Sequence, residues 1–510
     1  MEIATFLEYC LGKGIHLYLK DGELSYRAQK GAMTQDILSS IKERKPDILQ
    51  YLKKVEEANR PFQVSSTSKD RGILFNRFLW KDYSKRVIEV SSSNATHSVI
   101  RQKGEIYADS LVKSINYILG RQKVLNSTVE ISNGNLYLVH QPKQEPAFQE
   151  IKVKGDTPEQ RENVATRIAN ELVWQEYNLD KGPLYRVFLI RISFTDYMLG
   201  VGLHHAIGDA ISIGIFFQEL MIVYNSVLSS TPPRILPIRF QYMDYLASME
   251  DWAKSPAGIR HINYWKDTIK SAPFTGLLSD GNQFKIRTST EESAEKTIVI
   301  DADITSGLKQ LASTLKKTLF CILLSAYNIA IWRMNGQEEL VVVALQAGRI
   351  NADFQNIIGN FAMEVAYKTN LTGNPSFAEI AERGTNTMNE AHSHQPVPLD
   401  WVRKALADEG ISFNAPGISI LTGSSDEKQD DFRPRSIKIE PPGVRHGCHG
   451  FPVSCAMEFI DRESVIEGSI VYRTDVYEEE TINKFLDCFK DVVIEAIKEP
   501  GKRLGEFSAC

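Results

Sequence analysis

His204-His205-Ala206-Ile207-Gly208-Asp209-Ala210 sets two histidines and an aspartate at fixed spacing within one short stretch. A histidine is the side chain whose ordinary pKa lets it accept and return a proton near neutral pH. A carboxylate is a weak base, so Asp209 suits a helix cap or an arginine clamp better than a base. The same residues also fit a buried, hydrogen-bonded histidine pair. The flanking elements favour a built site. Tyr197-Met198-Leu199-Gly200-Val201-Gly202-Leu203 reads as a buried strand, and Ile211 to Val227 carries apolar residues at helical spacing (Ile211, Ile215, Phe216, Leu220, Val223). The motif therefore sits on a strand–loop–helix corner.

It closely resembles HHxxxDG, the signature of condensation domains of non-ribosomal peptide synthetases, within the wider chloramphenicol acetyltransferase-like superfamily. Further segments match that family in order. Tyr242-Met243-Asp244-Tyr245 with Trp252, and Tyr264-Trp265-Lys266, resemble the segment crossing between the family's two lobes. Ala347-Gly348-Arg349 and Ile357-Ile358-Gly359-Asn360-Phe361 resemble its AGR and IGxF elements, and His394-Gln395-Pro396-Val397-Pro398 its HQxxP element. Any one match is weak; the ordered set is specific.

The resemblance implies an α/β (α+β) fold of two chloramphenicol acetyltransferase-like lobes, a V-shaped pseudodimer with a tunnel between them. The N-lobe is expected over 72–245, and the crossover with the C-lobe over 246–510. It implies a reaction in which an acceptor amine attacks an acyl or peptidyl thioester, giving an amide and a thiol. No cofactor is bound directly; the substrates ride on the 4'-phosphopantetheine of a donor carrier protein and of an acceptor carrier, or the acceptor is a free amine. His205 takes the family's functional position, as base or as orienting group, with His204 more structural. Gly208 is a candidate to offer its N–H to the thioester oxyanion. Asp209 is implied to pair with Arg349 across the lobes. Asn414 resembles a family asparagine near the tunnel.

Several positions depart from the family. Ala210 stands where glycine is usual and disfavours a positive φ. The opening serine–alanine–glutamine run is not recognisable around Gly72-Ile73-Leu74-Phe75, and RHExLR is reduced to Arg121-Gln122-Lys123-Val124-Leu125. After Phe361 the usual Val-Asn-Thr is Ala362-Met363-Glu364, and Glu364 meets an acceptor amine if it faces the tunnel. These changes leave room for ester formation, release onto a small free amine, or a non-catalytic gate between carriers. An aspartate at the second histidine, typical of heterocyclisation domains, and the DFGWG element of plant-type acyltransferases are both missing.

Residues 1–55 read as a separate small domain of helix, hairpin, helix and helix. Ile3, Phe6, Leu7, Cys10 and Leu11 share a helical face, Ile15 to Lys20 alternates, Asp21-Gly22 marks a hairpin turn, and Leu24, Tyr26 and Ala28 alternate on the return. Thr34 is placed to cap a helix through Arg44, and Pro46 to open the next. This ααββ-type unit resembles tubulysin-type N-terminal docking domains. The resemblance implies that its hairpin edge receives an acidic segment from the C-terminus of an upstream synthase subunit, with His16, Tyr18, Lys20, Arg27 and Lys30 as the docking residues. Residues 56–71 are polar and aperiodic, a linker.

Composition bounds the alternatives. A chain of 510 residues exceeds one ordinary core, and 43% apolar with 24% charged residues is the balance of a globular protein. Net charge is −5 with no basic stripe interleaved with aromatics, which argues against nucleic acid. Six cysteines lack paired spacing, so reduced thiols and a cytoplasmic location are expected. His446-Gly447-Cys448-His449 is too sparse a ligand set for structural zinc, so no metal is expected. With no 18-residue apolar run and Glu2 and Glu8 in the first turns, neither a membrane span nor a signal peptide is expected.

Overall fold

The computed structural model describes residues 3, 6, 7, 10, 13, 15–20, 23–28, 33–58, 64, 65, 70–74, 95–132, 135–142, 146–272, 274–277, 293–349, 351–394, 397–422, 435–437 and 455–507. The chain divides into two compact units, 1–64 with 248–264, and 65–247 with 265–510.

In the first unit, β1 (Ile15–Lys20) and β2 (Glu23–Ala28) form an antiparallel hairpin in which Ile15 faces Ala28 and Lys20 faces Glu23. Two helices follow, Gln35–Glu43 and Lys45–Ala58. Thr34 caps the first of them by accepting from the Ile37 N–H at 3.4 Å. Phe6, Cys10, Ile15, Leu17, Ile37, Ile41 and Ile48 are its buried core, so both periodicities, 3.6 and 2, converge on one small cluster. Lys30 and the Asp21-Gly22 turn lie outside the described residues, as do the side chains of His16, Tyr18, Lys20 and Arg27.

The second unit holds three sheets. A small one runs β3 (Arg71–Ile73), β6 (Asn135–His140), β5 (Ser127–Ser132). The first large sheet has the order β14-β4-β9-β8-β7, with β4 at Ala95–Lys103, β7 at Phe148–Lys152, β8 at Tyr185–Ser193, β9 at Asp196–His204 and β14 at Arg435–Ile437. The second is β10-β16-β15-β13-β11-β12, comprising Ser293–Ile300, Ile466–Arg473, Cys455–Asp461, Gly417–Thr422, Glu339–Gln346 and Met363–Asn370 in that order. Its two central pairs, β11·β13 and β13·β15, are parallel and the rest antiparallel.

β14 (Arg435–Ile437) pairs with β4, so a segment from the C-terminal half completes the sheet of the first lobe. Nothing in the local pattern of 435–437 announces that crossover.

Strand β9 is buried along its whole length. A Cβ at Gly200 would lie 2.0 Å from the Phe188 ring, so the strand needs glycine there for β8 to seat its aromatic side chain. From β9 the chain turns at 205–209 into the helix Ala210–Leu228. That helix is long and apolar enough, by length and composition, to cross a membrane, at mean hydropathy 1.5. It is nevertheless a core element of the fold. Ile213, Ile215, Phe216, Leu220 and Val223 are buried in protein, and Glu219 on the same helix is ion-paired with Arg121.

Cys10, Cys321 and Cys455 are buried thiols, but Cys488 is disulfide-bonded. The expectation that all six cysteines are reduced is corrected, because spacing along a chain does not report which sulfurs meet in the fold.

Candidate active site

The corner after β9 is built from the backbone outward. His204 is fully buried, and its Nδ1 accepts from the Ala206 N–H at 3.1 Å while its ring meets Tyr177 edge-on at 5.7 Å. It is a structural member of the loop. His205 is partly accessible and holds a different contact: its Nδ1 lies 3.2 Å from the Gly208 carbonyl oxygen. A carbonyl only accepts, so Nδ1 carries the proton and Nε2 carries the lone pair. Burial lowers the His205 pKa below the ordinary histidine value, opposed more weakly by the Gly208 carbonyl and the charge of Asp209. The ring is thereby kept neutral, in the tautomer a proton acceptor requires.

Gly208 contributes its carbonyl, not its N–H. The Gly208 N–H is committed to the His204 carbonyl at 3.2 Å, which removes it as an oxyanion donor and corrects that expectation. A Cβ at this position would fall 2.7 Å from the Leu203 Cδ1, so a larger residue would have to displace that buried side chain.

Asp209 caps the Ala210–Leu228 helix, accepting from the Ser212 N–H and Oγ, each at 2.8 Å on Oδ1. Ala210 is the first residue of that helix and is not among the positive-φ residues, so the missing family glycine costs nothing. Oδ1 also accepts from Arg349 Nη2 at 3.0 Å, and Oδ2 from the Phe361 N–H at 3.0 Å. Arg349 and Asp209 side chains are 2% and 6% exposed, a buried pair joining the two lobes.

The guanidinium is held through both terminal nitrogens and one face. Nη1 donates to Phe354 O and Ile357 O, and the cation lies 4.4 Å above the Phe361 ring. Gly348, at φ +62, lets the loop approach so closely that a Cβ would sit 1.7 Å from the Phe361 carbonyl oxygen.

Five expected residues, His204, His205, Gly208, Asp209 and Arg349, thus form one hydrogen-bonded cluster. Glu364 and Asn414 hold other contacts. Glu364 is buried on β12 and ion-paired with Arg403, which also donates to Asp400 at 3.2 Å, so its charge is already met inside the protein. Asn414 offers its main-chain carbonyl to Thr275, while its Oδ1 is buried with no partner among the described residues. His446, Cys448 and His449 lie outside the described residues; among the described ones, no group of three metal-ligating side chains occurs.

Sequence reasoning missed a second layer. Ser212 Oγ bridges Asp209, Arg349 and the Gly359 backbone, and Tyr242 donates to the Asn360 carbonyl at 2.8 Å. Asn360 Nδ2 donates to the His205 carbonyl at 2.7 Å. Gln122 donates to Asn356 O and Glu219 and accepts from the Ile358 N–H, tying the first lobe to the same 356–361 segment. Ser212, three residues past the capping aspartate, carried the only local signal.

Residues 85–509 match the Condensation domain family and residues 3–54 match the TubC N-terminal docking domain. The chain belongs to the condensation-domain family, with a docking domain ahead of it. Such domains of peptide synthetases are amide-forming acyltransferases that act with phosphopantetheine-bearing carriers. Chondramide synthase cmdD of Chondromyces crocatus is 26% identical over 407 residues, which cover 79% of this chain and 10% of that synthase. The chain therefore spans only about a tenth of that relative's length. Among solved structures, the X-domain from teicoplanin biosynthesis superposes with a TM-score of 0.72 at 18% identity, over 88% of this chain and all of that one. The condensation domain that mediates chain release from the enacyloxin polyketide synthase does so at 0.68 and 22% identity, over 98% of this chain and 96% of that one. Likeness at these identities speaks to fold.

Proposed function

We propose that this chain condenses a carrier-bound acyl or peptidyl thioester with an acceptor amine. The amine nitrogen bonds to the thioester carbonyl carbon, the C–S bond breaks, and the sulfur leaves as the thiol. An amine is already nucleophilic once neutral, so the site chiefly positions it and handles one proton. His205 takes that proton at Nε2 and returns it to the departing sulfur, while Nδ1–H stays on Gly208 O. Asp209 and Arg349 hold the loop and move no proton. The observation carrying this reading is the His205–Gly208 contact, which sets the basic tautomer.

In the same proposal, residues 1–55 dock the acidic C-terminus of an upstream subunit through the β1–β2 hairpin. Residues 56–71 link them to an N-lobe at 72–245 and a crossover with C-lobe at 246–510. Glu364 and Asn414 border the substrate tunnel, and the reaction takes place in the cytoplasm.

The test is His205→Ala with a loaded donor carrier. Product formation is expected to fall at least about a hundredfold, as loss of a positioned acid–base group does, with an unchanged melting curve. Near wild-type turnover would place the chemistry elsewhere.

A further inference from the structure

Residues 357–361 belong to neither helix nor strand, yet Ile357, Ile358, Asn360 and Phe361 are buried. Backbone groups so placed cannot turn to water, and side chains must satisfy them. Arg349 donates to the Ile357 carbonyl and Tyr242 to the Asn360 carbonyl. Ser212 Oγ accepts from the Gly359 N–H, and Asp209 from the Phe361 N–H. Gln122 joins them from a separate element. It closes the helix Ala108–Arg121, where its own N–H returns to Ile118 O at 2.7 Å, and its side chain is fully buried. Nε2 donates to Asn356 O at 2.9 Å and to Glu219 Oε1 at 3.1 Å, while Oε1 accepts from the Ile358 N–H at 3.0 Å. A carbonyl takes only a donor and an N–H only an acceptor, so these bonds fix which way the carboxamide lies. One side chain thus grips the segment on both sides of Ile357, at residues 234 and 236 positions away in sequence.

The segment in turn holds the histidine loop. Asn360 Nδ2 donates to the His205 carbonyl at 2.7 Å, and the Phe361 N–H meets Asp209 at 3.0 Å. We propose that Gln122 is a positioning residue for His205, acting through residues 356–361. The inference rests on the amide-forming reading, in which His205 handles the proton, and adds a residue outside the motif that sets the ring's surroundings. A replacement without the carboxamide strands a buried carbonyl and a buried N–H, which only water or backbone movement can satisfy. Either one loosens the hold on the His205 carbonyl and brings water nearer the ring. Burial is what keeps the His205 pKa below its ordinary value, against the weaker pull of the Gly208 carbonyl and the Asp209 charge. Water at the ring therefore raises that pKa, and a less fixed ring transfers its proton more slowly. Gln122 stands where the RHExLR element has histidine. A neutral imidazole also offers one donor and one acceptor, which makes Gln122→His the conservative exchange.

The full chain is labelled with 13C-histidine, and the His205 signal, assigned by its loss in His205→Ala, is titrated by NMR. Turnover is measured beside it with octanoyl-pantetheine thioester and alaninamide. Gln122→Met keeps the length and removes the polar atoms. Its His205 is expected to titrate closer to about 6.5 than in wild type. Its kcat is expected to fall about tenfold, the worth of one buried hydrogen bond, with KM little changed. Gln122→His is expected to keep the wild-type titration. Asn328→Ala cuts a buried carboxamide bond to Thr369 at 2.9 Å and is expected to cost stability while leaving the His205 titration in place. If the methionine variant melts below assay temperature, Gln122→Asn, one methylene too short to reach both backbone groups, is read in its stead. A His205 titration unmoved in the Gln122 variants, or moved as far by Asn328→Ala, would reduce Gln122 to packing and overturn the proposal. Folded wild type that forms no amide overturns the reading of the reaction, and the titration still decides whether Gln122 positions the ring.

Discussion

Arg349 Nη2 and Asp209 Oδ1 meet at 3.0 Å although 140 residues separate them in sequence. The same carboxylate caps the Ala210–Leu228 helix and accepts from the Phe361 N–H, so one side chain fixes the histidine loop, the helix start and the IGNF segment. Asp209→Asn places an amide nitrogen where either Arg349 or a backbone N–H already donates. Removing one side of a buried ion pair costs about 3–5 kcal/mol. The variant is expected to melt well below wild type and to lose activity through structure. An unchanged melting temperature would show that the pair carries no such weight.

The glycine of the preceding turn makes a sharper prediction. Gly348→Ala puts a Cβ 1.7 Å from the Phe361 carbonyl oxygen at a φ that disfavours it. Destabilisation on the order of 3 kcal/mol, with loss of turnover, is expected because Arg349 must move with the turn. Ala210→Gly, which restores the family residue, is expected to gain nothing, since position 210 is already helical. Melting curves and turnover of the two variants provide the check.

His205 sets the pH dependence. Burial lowers its pKa, so a neutral ring persists to lower pH than for an ordinary histidine. The acid limb of kcat/KM is therefore expected below about pH 6.5. Two acceptors of different amine pKa separate this limb from the amine's own titration, because only the latter moves. Stability follows the same sign. Below about 6.5 the unfolded chain binds a proton that the native ring resists, so stability declines as the pH drops through that range. An enzyme-borne acid limb that stays in place above pH 7 would exclude His205 as the titrating group.

The legible part of this fold was what local pattern carries. The docking hairpin, the Thr34 cap and the corner at 204–210 follow from alternation, helical spacing and capping chemistry. The Asp209–Arg349 pair came from resemblance, not from spacing, since no periodicity links residues so far apart. What stayed hidden depends on tertiary approach. Gly208 N–H looked available until His204 O was seen to occupy it, and Asn360 and Gln122 read as ordinary polar residues. β14 is three residues whose sheet membership only the folded chain reveals.

Glu219 tests a buried ion pair inside the first lobe. Desolvation raises its pKa, while Arg121 at 2.8 Å and Gln122 pull it back. Arg121→Met leaves a buried carboxylate without its cation, a loss of about 3 kcal/mol at pH 8. A carboxyl whose folded pKa is raised loses stability as pH climbs from the unfolded value toward the folded one. The variant is therefore expected to be closer to wild type at pH 5 than at pH 8, as chemical denaturation at both values will show. An equal deficit at both would mean that packing, not charge, is what Arg121 supplies.

The docking proposal is tested by charge rather than by deletion, because residues 1–64 cluster with 248–264 as one unit and their removal would strip that segment of its partners. In the hairpin, β1 carries Lys20 opposite Glu23 and β2 carries Arg27 opposite His16. Reversing Lys20 and Arg27 to glutamate leaves the buried core of Ile15, Leu17, Ile37 and Ile41 untouched, so the fold is expected to persist. Titration with the acidic C-terminal peptide of the upstream subunit is expected to show affinity reduced about tenfold at low salt. The gap should narrow as ionic strength rises, because wild-type docking is itself screened. Equal affinity for both proteins would mean that the hairpin recognises its partner without charge, or that residues 1–55 stabilise the chain and dock nothing.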